Sequence, residues 1–394
     1  MQEGDFLLNL SVDVSSLELI RYCWRNKILY LDTCIEPWPG KYTDPSLSPS
    51  QRSNYSLREQ VLGFRLDKRT GPTAMVTQGA NPGLASVFVK QALLTLAKDN
   101  QLEFEKPACF EDWATLAQRL DIKVIHIAER DTQISSRRKR RNEFVNTWSV
   151  DGFVSEGLQP SELGWGSHER HWPEDAGRHG YGCDAAIFLN RPGLSTRVRS
   201  WTPLEGPYHG FLVTHGESIS IADHLTLRDG GDVHYRPTVH YAYHPSDDTM
   251  LSLHEMAGKN WKQQSDSRIM REEIESGMDE LGVLLMGNPK GTYWYGSRLT
   301  IEQARQLAPH NTATTLQVAA GILAGMVWAL RNPNAGAVEP DDIDYELVLD
   351  IAGPYLGDLV GVYTDWTPLA DRCGLFEECR SADDPWQFLN FRVD

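Results

Sequence analysis

The sequence predicts an α/β protein in two parts, a parallel sheet with crossover helices followed by a mixed α/β domain. Three observations carry this. Over the first hundred residues short apolar runs alternate with helical patterns, the order that a parallel sheet with crossover helices requires. From about residue 122 the texture changes to many short β-like runs, for which an antiparallel or mixed sheet is the simplest arrangement. A length of 394 residues exceeds the size at which one hydrophobic core stops growing, so two domains of ordinary size are expected.

In chain order, residues 6–10 form a buried-strand candidate. Ser15 and Ser16 can cap a helix running to about Asn26, residues 28–31 give the next strand, and 54–66 are helical. A strand at 73–77 runs into Gln78-Gly79-Ala80-Asn81-Pro82-Gly83. A long amphipathic helix over 84–98 follows, with Leu84, Val87, Phe88, Ala92, Leu93 and Leu96 near helical spacing. In the second part, strands are expected at 124–128, 144–150, 185–189, 210–214 and 240–243. Helices are expected at 268–276, 301–306 and 312–330, the last capped by Asn311 or Thr312 and stopped by Asn332-Pro333. The tail, 340–394, is rich in Asp, Pro and Trp and is expected as loops and short elements. The chain thus divides into a parallel-sheet part over 1–80, a mixed α/β part over 81–335 and a C-terminal segment, 336–394, packing back on the first part.

Composition narrows the function classes. Hydrophobic residues at 41% and charged residues at 23% are ordinary for a globular protein. The longest apolar stretch, about 316–330, is interrupted by Gln317 and falls short of the ~20 residues a membrane span requires, so it reads as a buried helix. A net charge of -16 argues against non-specific nucleic-acid binding and favours the approach of cations, although acidity also serves solubility. The run Arg137-Arg138-Lys139-Arg140-Arg141 is accordingly expected as a solvated loop. Six cysteines, Cys23, Cys34, Cys109, Cys183, Cys373 and Cys379, are scattered without a compact framework, and residues 1–5 lack the features of a secretory signal; both fit a cytoplasmic protein with reduced thiols.

Two further patterns bear on chemistry. His168, His171, His179 and Cys183 are metal-ligand types, but the glycines and Pro173 among them make a loop that fixes no common face, and no metal is expected. His240 and His244 point to one side of a β-like run, where packing is the expectation, with Tyr241 and Tyr243 on the other. Carboxylates are interleaved with aromatics: Asp13, Glu36 followed by Trp38, Glu129, Trp148 followed by Glu156, and Glu217 next to His215. Taken singly, each acid reads as a surface charge or a helix cap. As a set they suit a ligand with two ammonium groups, which needs carboxylate partners and aromatic faces once removed from water.

In a dinucleotide-binding sheet the glycine-rich phosphate loop follows the first strand, and only five residues precede Phe6. No G-x-G-x-x-G follows a strand downstream either: Gly164-Trp165-Gly166 lacks the third glycine, and Gly230-Gly231 lies in a turn-like stretch.

Longer blocks carry more information. Asn9-Leu10-Ser11-Val12-Asp13, Gly79-Ala80-Asn81-Pro82-Gly83, residues 125–133, Val145-Asn146-Thr147-Trp148-Ser149, residues 152–160, Thr214-His215, Asp279-Glu280-Leu281-Gly282 and residues 363–368 together resemble the bacterial homospermidine synthases. The resemblance spans essentially the whole chain. It implies a saccharopine-dehydrogenase-like architecture, an incomplete Rossmann-type domain for NAD joined to a mixed α/β substrate and dimerisation domain. It also implies a cytoplasmic homodimer with no nucleic-acid or membrane partner that joins two putrescines into homospermidine with release of ammonia, with spermidine as a further candidate donor. Carried over onto this sequence, Glu36, Trp148, Glu156 and Asp279 would bind substrate. Glu129, His215, Glu217 and Asn81 would serve the chemistry, and Ser11, Val12, Asp13, Thr33 and Pro82 would touch the cofactor. Family members carry roughly eighty more residues at the amino end, including the glycine loop. A reading frame that continues upstream of Met1 is expected, ahead of a truncated form that binds NAD weakly or not at all. Two other readings stand behind the first: a carboxyspermidine-type or saccharopine-type reductase, and a polyamine-binding protein without turnover.

Overall fold

The computed structural model describes residues 1–67, 71–372 and 378–393, so Cys373 lies outside the described residues. Four parallel strands, Phe6–Asn9, Leu29–Asp32, Gly71–Met75 and Ala335–Val338, form one sheet in that order. The crossover helices are Ser16–Asn26 and Asn54–Asp67. Ser15 caps the first by accepting the Glu18 N–H at 3.4 Å, and Ile20 and Cys23 are its fully buried face. It stops at Lys27, which takes the left-handed conformation. Leu29–Asp32 is buried along its whole length, as a strand covered on both faces must be. The third strand ends at Met75, short of the expected Thr77, because Thr77 turns to a φ of 58° and donates its N–H to Asp32 Oδ1 at 2.8 Å.

The second sheet has eleven strands among the described residues. Its main path runs Asp358–Thr364, Thr292–Thr300, Met278–Met286, Val124–Asp131, Thr238–His244, Gly206–Phe211, Arg197–Thr202 and Arg392–Val393. Val124–Asp131 and Thr238–His244 pair in parallel, whereas Val124–Asp131 and Met278–Met286 pair antiparallel, which makes the sheet mixed. The register sets Glu129 beside Tyr243 on one side and Leu281 on the other, and Asp131 opposite Asp279. Side chains two residues apart on a strand share a face, so Glu129, Asp131, Asp279, Tyr241 and Tyr243 are brought to one side.

Several sequence expectations give way here. Residues 268–276, expected as a helix, form the strands Asp266–Ile269 and Ile274–Ser276; Arg268 is held extended by its ion pairs to Glu143 and Glu273. The strand expected over 144–150 ends at Asn146, and Ser149 then caps a helix, Val150–Leu158, hidden in the sequence by Gly152 and Gly157. The tail is more ordered than expected, with a helix at Tyr345–Ala352 and a seven-residue strand at Asp358–Thr364. The C-terminal segment also divides. Ala335–Val338 completes the parallel sheet, but Asp358–Thr364 and Arg392–Val393 hydrogen-bond into the mixed sheet, where Phe388 and Phe391 are buried. The apolar side chains at the end of the chain find their burial on the larger sheet.

The helix Ala313–Arg331 is 19 residues long and apolar enough to cross a membrane, yet more than half of it is buried inside the protein. Thr312 caps it, and Gly321 meets the backbone of Gly79, while Gly325 faces Gln78, Leu31 and Met75. It is a core helix that seats the loop after the third parallel strand. Of the basic run, Arg137, Arg138 and Lys139 form ion pairs with Glu143, Asp248 and Glu255.

Candidate functional site

In open parallel sheets ligands bind beyond the carboxyl ends of the strands. A narrow cavity lies there, between the two sheets. Cys34 and Ile35 line it from the end of the second strand, Thr77 and Pro82 from the end of the third, and Glu156, Thr214 and His215 from the mixed domain.

Local structure delivers the mixed-domain side chains. The Ser149 hydroxyl accepts the Gly152 N–H at 3.0 Å and starts the helix whose last turn carries Glu156. His215 is the cap residue of the helix Gly216–His224, with Glu217 in its first turn. Glu162, fully buried, accepts the N–H groups of Asn54 and Tyr55 at 3.0 and 3.3 Å and the Thr214 hydroxyl at 2.7 Å. One carboxylate therefore ties the start of a parallel-domain helix to the residue before His215.

His215 sits between two carboxylates: Nε2 is 3.3 Å from Glu156 Oε2 and Nδ1 is 3.5 Å from Glu217 Oε1. Burial alone would favour the neutral ring, but the two anions outweigh it and push the imidazole up to about 10. The ring is therefore a fixed cation at neutral pH. These are charge contacts rather than directed hydrogen bonds, and Glu156 Oε2 and both Glu217 oxygens accept no hydrogen bond among the described residues. Glu36 is buried nearby; burial, then the charges of Glu156 and Asp13, raise it to about 8.

A second centre lies beyond the His215 ring, whose centroid is 4.3 Å from that of Tyr241. Glu129, only 2% exposed, accepts hydrogen bonds on Oε2 from Asn81 Nδ2 and the Tyr241 hydroxyl. Burial raises Glu129 to about 7 against the pull of those two donors. Tyr241 stacks on Tyr243 at 5.4 Å and 10°, and the Tyr243 hydroxyl accepts the Trp148 indole N–H at 3.1 Å. Asp131 and Asp279 complete the buried face. Asp131 accepts from Thr147 at 2.6 Å and from Gln133 N–H at 2.8 Å, and Asp279 accepts from Thr314. Asp279 Oδ1 has no partner among the described residues, and burial together with Glu129 and Asp131 raises its carboxyl.

The structure thus brings together Glu36, Asn81, Pro82, Glu129, Trp148, Glu156, His215, Glu217 and Asp279 of the residues singled out from sequence. Asp13 lies close enough to Glu36 to raise its pKa. Thr33 approaches Gly79 from the second strand's end. Ser11 and Val12 stay on the loop after the first strand, where Ser11 N–H donates to Asn9 Oδ1, and neither lines the cavity. Sequence reading missed Tyr241, Tyr243, Asp131, Glu162 and Arg58. Of these, Tyr241 and Tyr243 had a signal in their alternation with His240 and His244, which put them on one face, and Asp131 lay within the matched block 125–133. The unused metal-ligand types have other work: His179 Nδ1 lies 2.9 Å from the Ser50 hydroxyl with its ring stacked on Tyr55, and His168 meets the Trp386 carbonyl. His240 packs against His126 and Phe391.

The carboxyl edge fits the reacting half of a dinucleotide. Gly83 and Gly79 pack backbone to backbone, so the loop carrying Asn81 and Pro82 leaves no room for larger side chains there, and Gln78 Oε1 and Glu36 Oε2 are buried without partners among the described residues. Thr33, Cys34, Thr77 and Pro82 would border the nicotinamide and its ribose.

Comparison with known proteins agrees with this layout. Residues 1–75 match the saccharopine dehydrogenase NADP binding domain and residues 79–364 the saccharopine dehydrogenase C-terminal domain. A homospermidine synthase of Blastochloris viridis is 59% identical over 390 residues, 98% of this chain and 82% of that protein. One of Mesorhizobium japonicum is 54% identical over 392 residues, 98% of this chain and 81% of that protein. The crystal structure of homospermidine synthase from Legionella pneumophila in complex with NAD superposes with a TM-score of 0.93 at 50% identity, covering 100% of this chain and 83% of that one. The chain belongs to the homospermidine synthase family.

Proposed function

We propose that the protein is an NAD-dependent homospermidine synthase that condenses two putrescines to homospermidine and releases ammonia. The observation that carries the reading is the buried row of acids, Glu36, Glu156, Glu217, Glu129 and Asp279, against which the described residues set the imidazole of His215. Such a row is costly to keep in a folded protein unless cationic ligands enter it.

NAD, when bound, supplies a hydride acceptor that is restored by giving the hydride back, so it behaves as a prosthetic group. The chain's own residues handle protons and charge. An amine must be neutral to lose hydride or to attack an imine, and Glu129, near neutrality in its basicity, can take that proton on Oε1 and return it. Glu36 and Glu156 hold an ammonium at the sheet side of the cavity, while Trp148 offers its face to the cationic intermediate. Asn81 orients Glu129, and the imidazole of His215 lies between the carboxylates of Glu156 and Glu217.

A carboxyspermidine-type or saccharopine-type substrate would need an arginine for its carboxylate. Arg130 turns away to Glu205 and Asp247. Arg58 does line the cavity, but its guanidinium is taken up by Glu339 at 2.7 and 2.9 Å and by Asp223 at 3.0 Å. This favours the diamine. A cytoplasmic homodimer is part of the same proposal, with the exposed edge strand Asp358–Thr364 available for assembly and no nucleic-acid or membrane partner.

The test is incubation with putrescine and substoichiometric NAD, with spermidine compared as donor. From putrescine alone, homospermidine and ammonia in equal amounts, many per NAD, are expected, whereas spermidine as donor would release 1,3-diaminopropane in place of ammonia; no product from folded, NAD-loaded protein would reject the reading. Calorimetry showing putrescine binding with no NAD binding would instead favour a protein that holds polyamines without turnover.

A further inference from the structure

Glu129 is held by a closed ring of hydrogen bonds. Asn81 Nδ2 donates both to the Tyr241 hydroxyl, at 2.7 Å, and to Glu129 Oε2, and the Tyr241 hydroxyl donates to that same Oε2. Among the described residues no hydrogen bond falls on Oε1, so the carboxylate is fixed in rotation with one oxygen committed and one free. Tyr241 is itself held in place. Its ring stacks on Tyr243 at 5.4 Å and 10°, and packs at 4.3 Å against the imidazole of His215. A buried phenol surrounded by Glu129, Tyr243 and Asp279 keeps its proton far above neutral pH, so it is a permanent donor and not a proton carrier.

We propose that Tyr241 is the positioning residue for Glu129, presenting Oε1 to the reacting nitrogen and setting, with Asn81, the basicity of that oxygen. The proposal deepens the reading above, in which Glu129 takes the proton of the reacting amine. Two donors on one oxygen stabilise the charged form of a carboxylate and draw density away from the other oxygen. The remaining groups that face Glu129 are Asp131 on its own strand, Asp279 on the neighbouring strand, Tyr243 on the other neighbour and the charged ring of His215. The two aspartates make Glu129 harder to ionise and His215 makes it easier. Tyr241 carries no charge of its own, so Tyr241→Phe removes only the hydroxyl, with its donation to Oε2 and the bond it accepts from Asn81, and leaves the charges around Glu129 unaltered.

The test is an infrared titration of the full chain, which needs no turnover. The carboxyl band of Glu129 is identified by its loss in Glu129→Gln, and its midpoint is followed in the wild type and in Tyr241→Phe. Removing the hydroxyl should move the midpoint up by about one to two pH units, the effect of one hydrogen bond to a charged group. The acid limb of kcat/KM for putrescine should move with it, while KM changes less than kcat. Incorporating 3-fluorotyrosine at position 241, which keeps the shape and makes the phenol a stronger donor, should move the midpoint down, and this serves if Tyr241→Phe does not fold. A shift in these directions supports the proposal whether or not homospermidine is formed. A midpoint that stays at its wild-type value in either variant overturns it, whatever the product.

Discussion

Glu156 Oε2 lies 3.3 Å from Nε2 of His215, and the two side chains reach this contact from different helices across the mouth of the cavity. The pair is buried, so its charges feel each other through little water. Glu156→Gln should lower kcat/KM for putrescine by roughly 3 kcal/mol or more, because both an ammonium and the imidazolium lose a partner. Steady-state kinetics at saturating NAD check this, and wild-type values in the variant would remove Glu156 from the site.

Trp148 donates its indole N–H to the Tyr243 hydroxyl, and its ring face is the part proposed to meet the cationic intermediate. A desolvated cation-π contact is worth about 2 kcal/mol, so Trp148→Leu should cost about thirtyfold in kcat/KM. Trp148→Phe, which keeps an aromatic face, should lose much less. Equal losses in the two variants would show that the ring face is not what matters.

Gly321 tests the scaffold rather than the chemistry. A Cβ there would collide with the Gly79 carbonyl oxygen, which belongs to the loop that carries Asn81. Gly321→Ala should therefore destabilise by about 1–3 kcal/mol and displace Asn81 from Glu129. The checks are thermal unfolding and product formation in the same preparation, and an unchanged unfolding temperature would mean that the helix and loop are not in rigid contact.

Stability should fall as pH rises above neutrality. Glu36, Glu129, Asp32 and Glu162 are raised to about 8, 7, 7 and 7, in each case first by burial. Between the ordinary carboxyl range and those values the folded chain binds more protons than the unfolded one, so unfolding becomes easier with increasing pH across that window. His215, raised to about 10 against its burial by Glu217 and Glu156, acts in the same direction: its contribution is complete below the ordinary histidine range and is lost as pH rises through about 10. The unfolding temperature should drop from about pH 7 to about pH 9, above the range in which His179, His224 and His240, lowered by burial to about 4, 3 and 4, act in the opposite direction, and added putrescine should restore part of it by occupying the acidic row. A flat profile, or one that putrescine leaves unchanged, would contradict this account.

What was legible in the sequence was local in origin. Ser15 before Leu17 and Ile20, Thr312 before the long apolar helix, and the Gly79 to Gly83 loop after an apolar strand all announce themselves, because capping, periodicity and tight turns depend on residues a few positions apart. Misreadings fell where tertiary contacts overrode propensity. Residues 266–269 are extended because they pair with Glu143–Asn146, more than a hundred positions earlier in the chain, and Gly157 sits within a helix because Leu194 leaves no room for a side chain there.

The sequence by itself determined the parallel order of the first strands, the residue types of an ammonium site and, through long matched blocks, the family. Only the tertiary structure decided how those residues act on one another. Tyr241 stands 112 positions from Glu129, and Asn81 stands 48 from it, yet all three share one oxygen. The basicity of Glu129, the fixed charge on His215 and the commitment of Arg58 to Glu339 are properties of burial and of distances of about 3 Å. No pattern of neighbours along the chain encodes those distances.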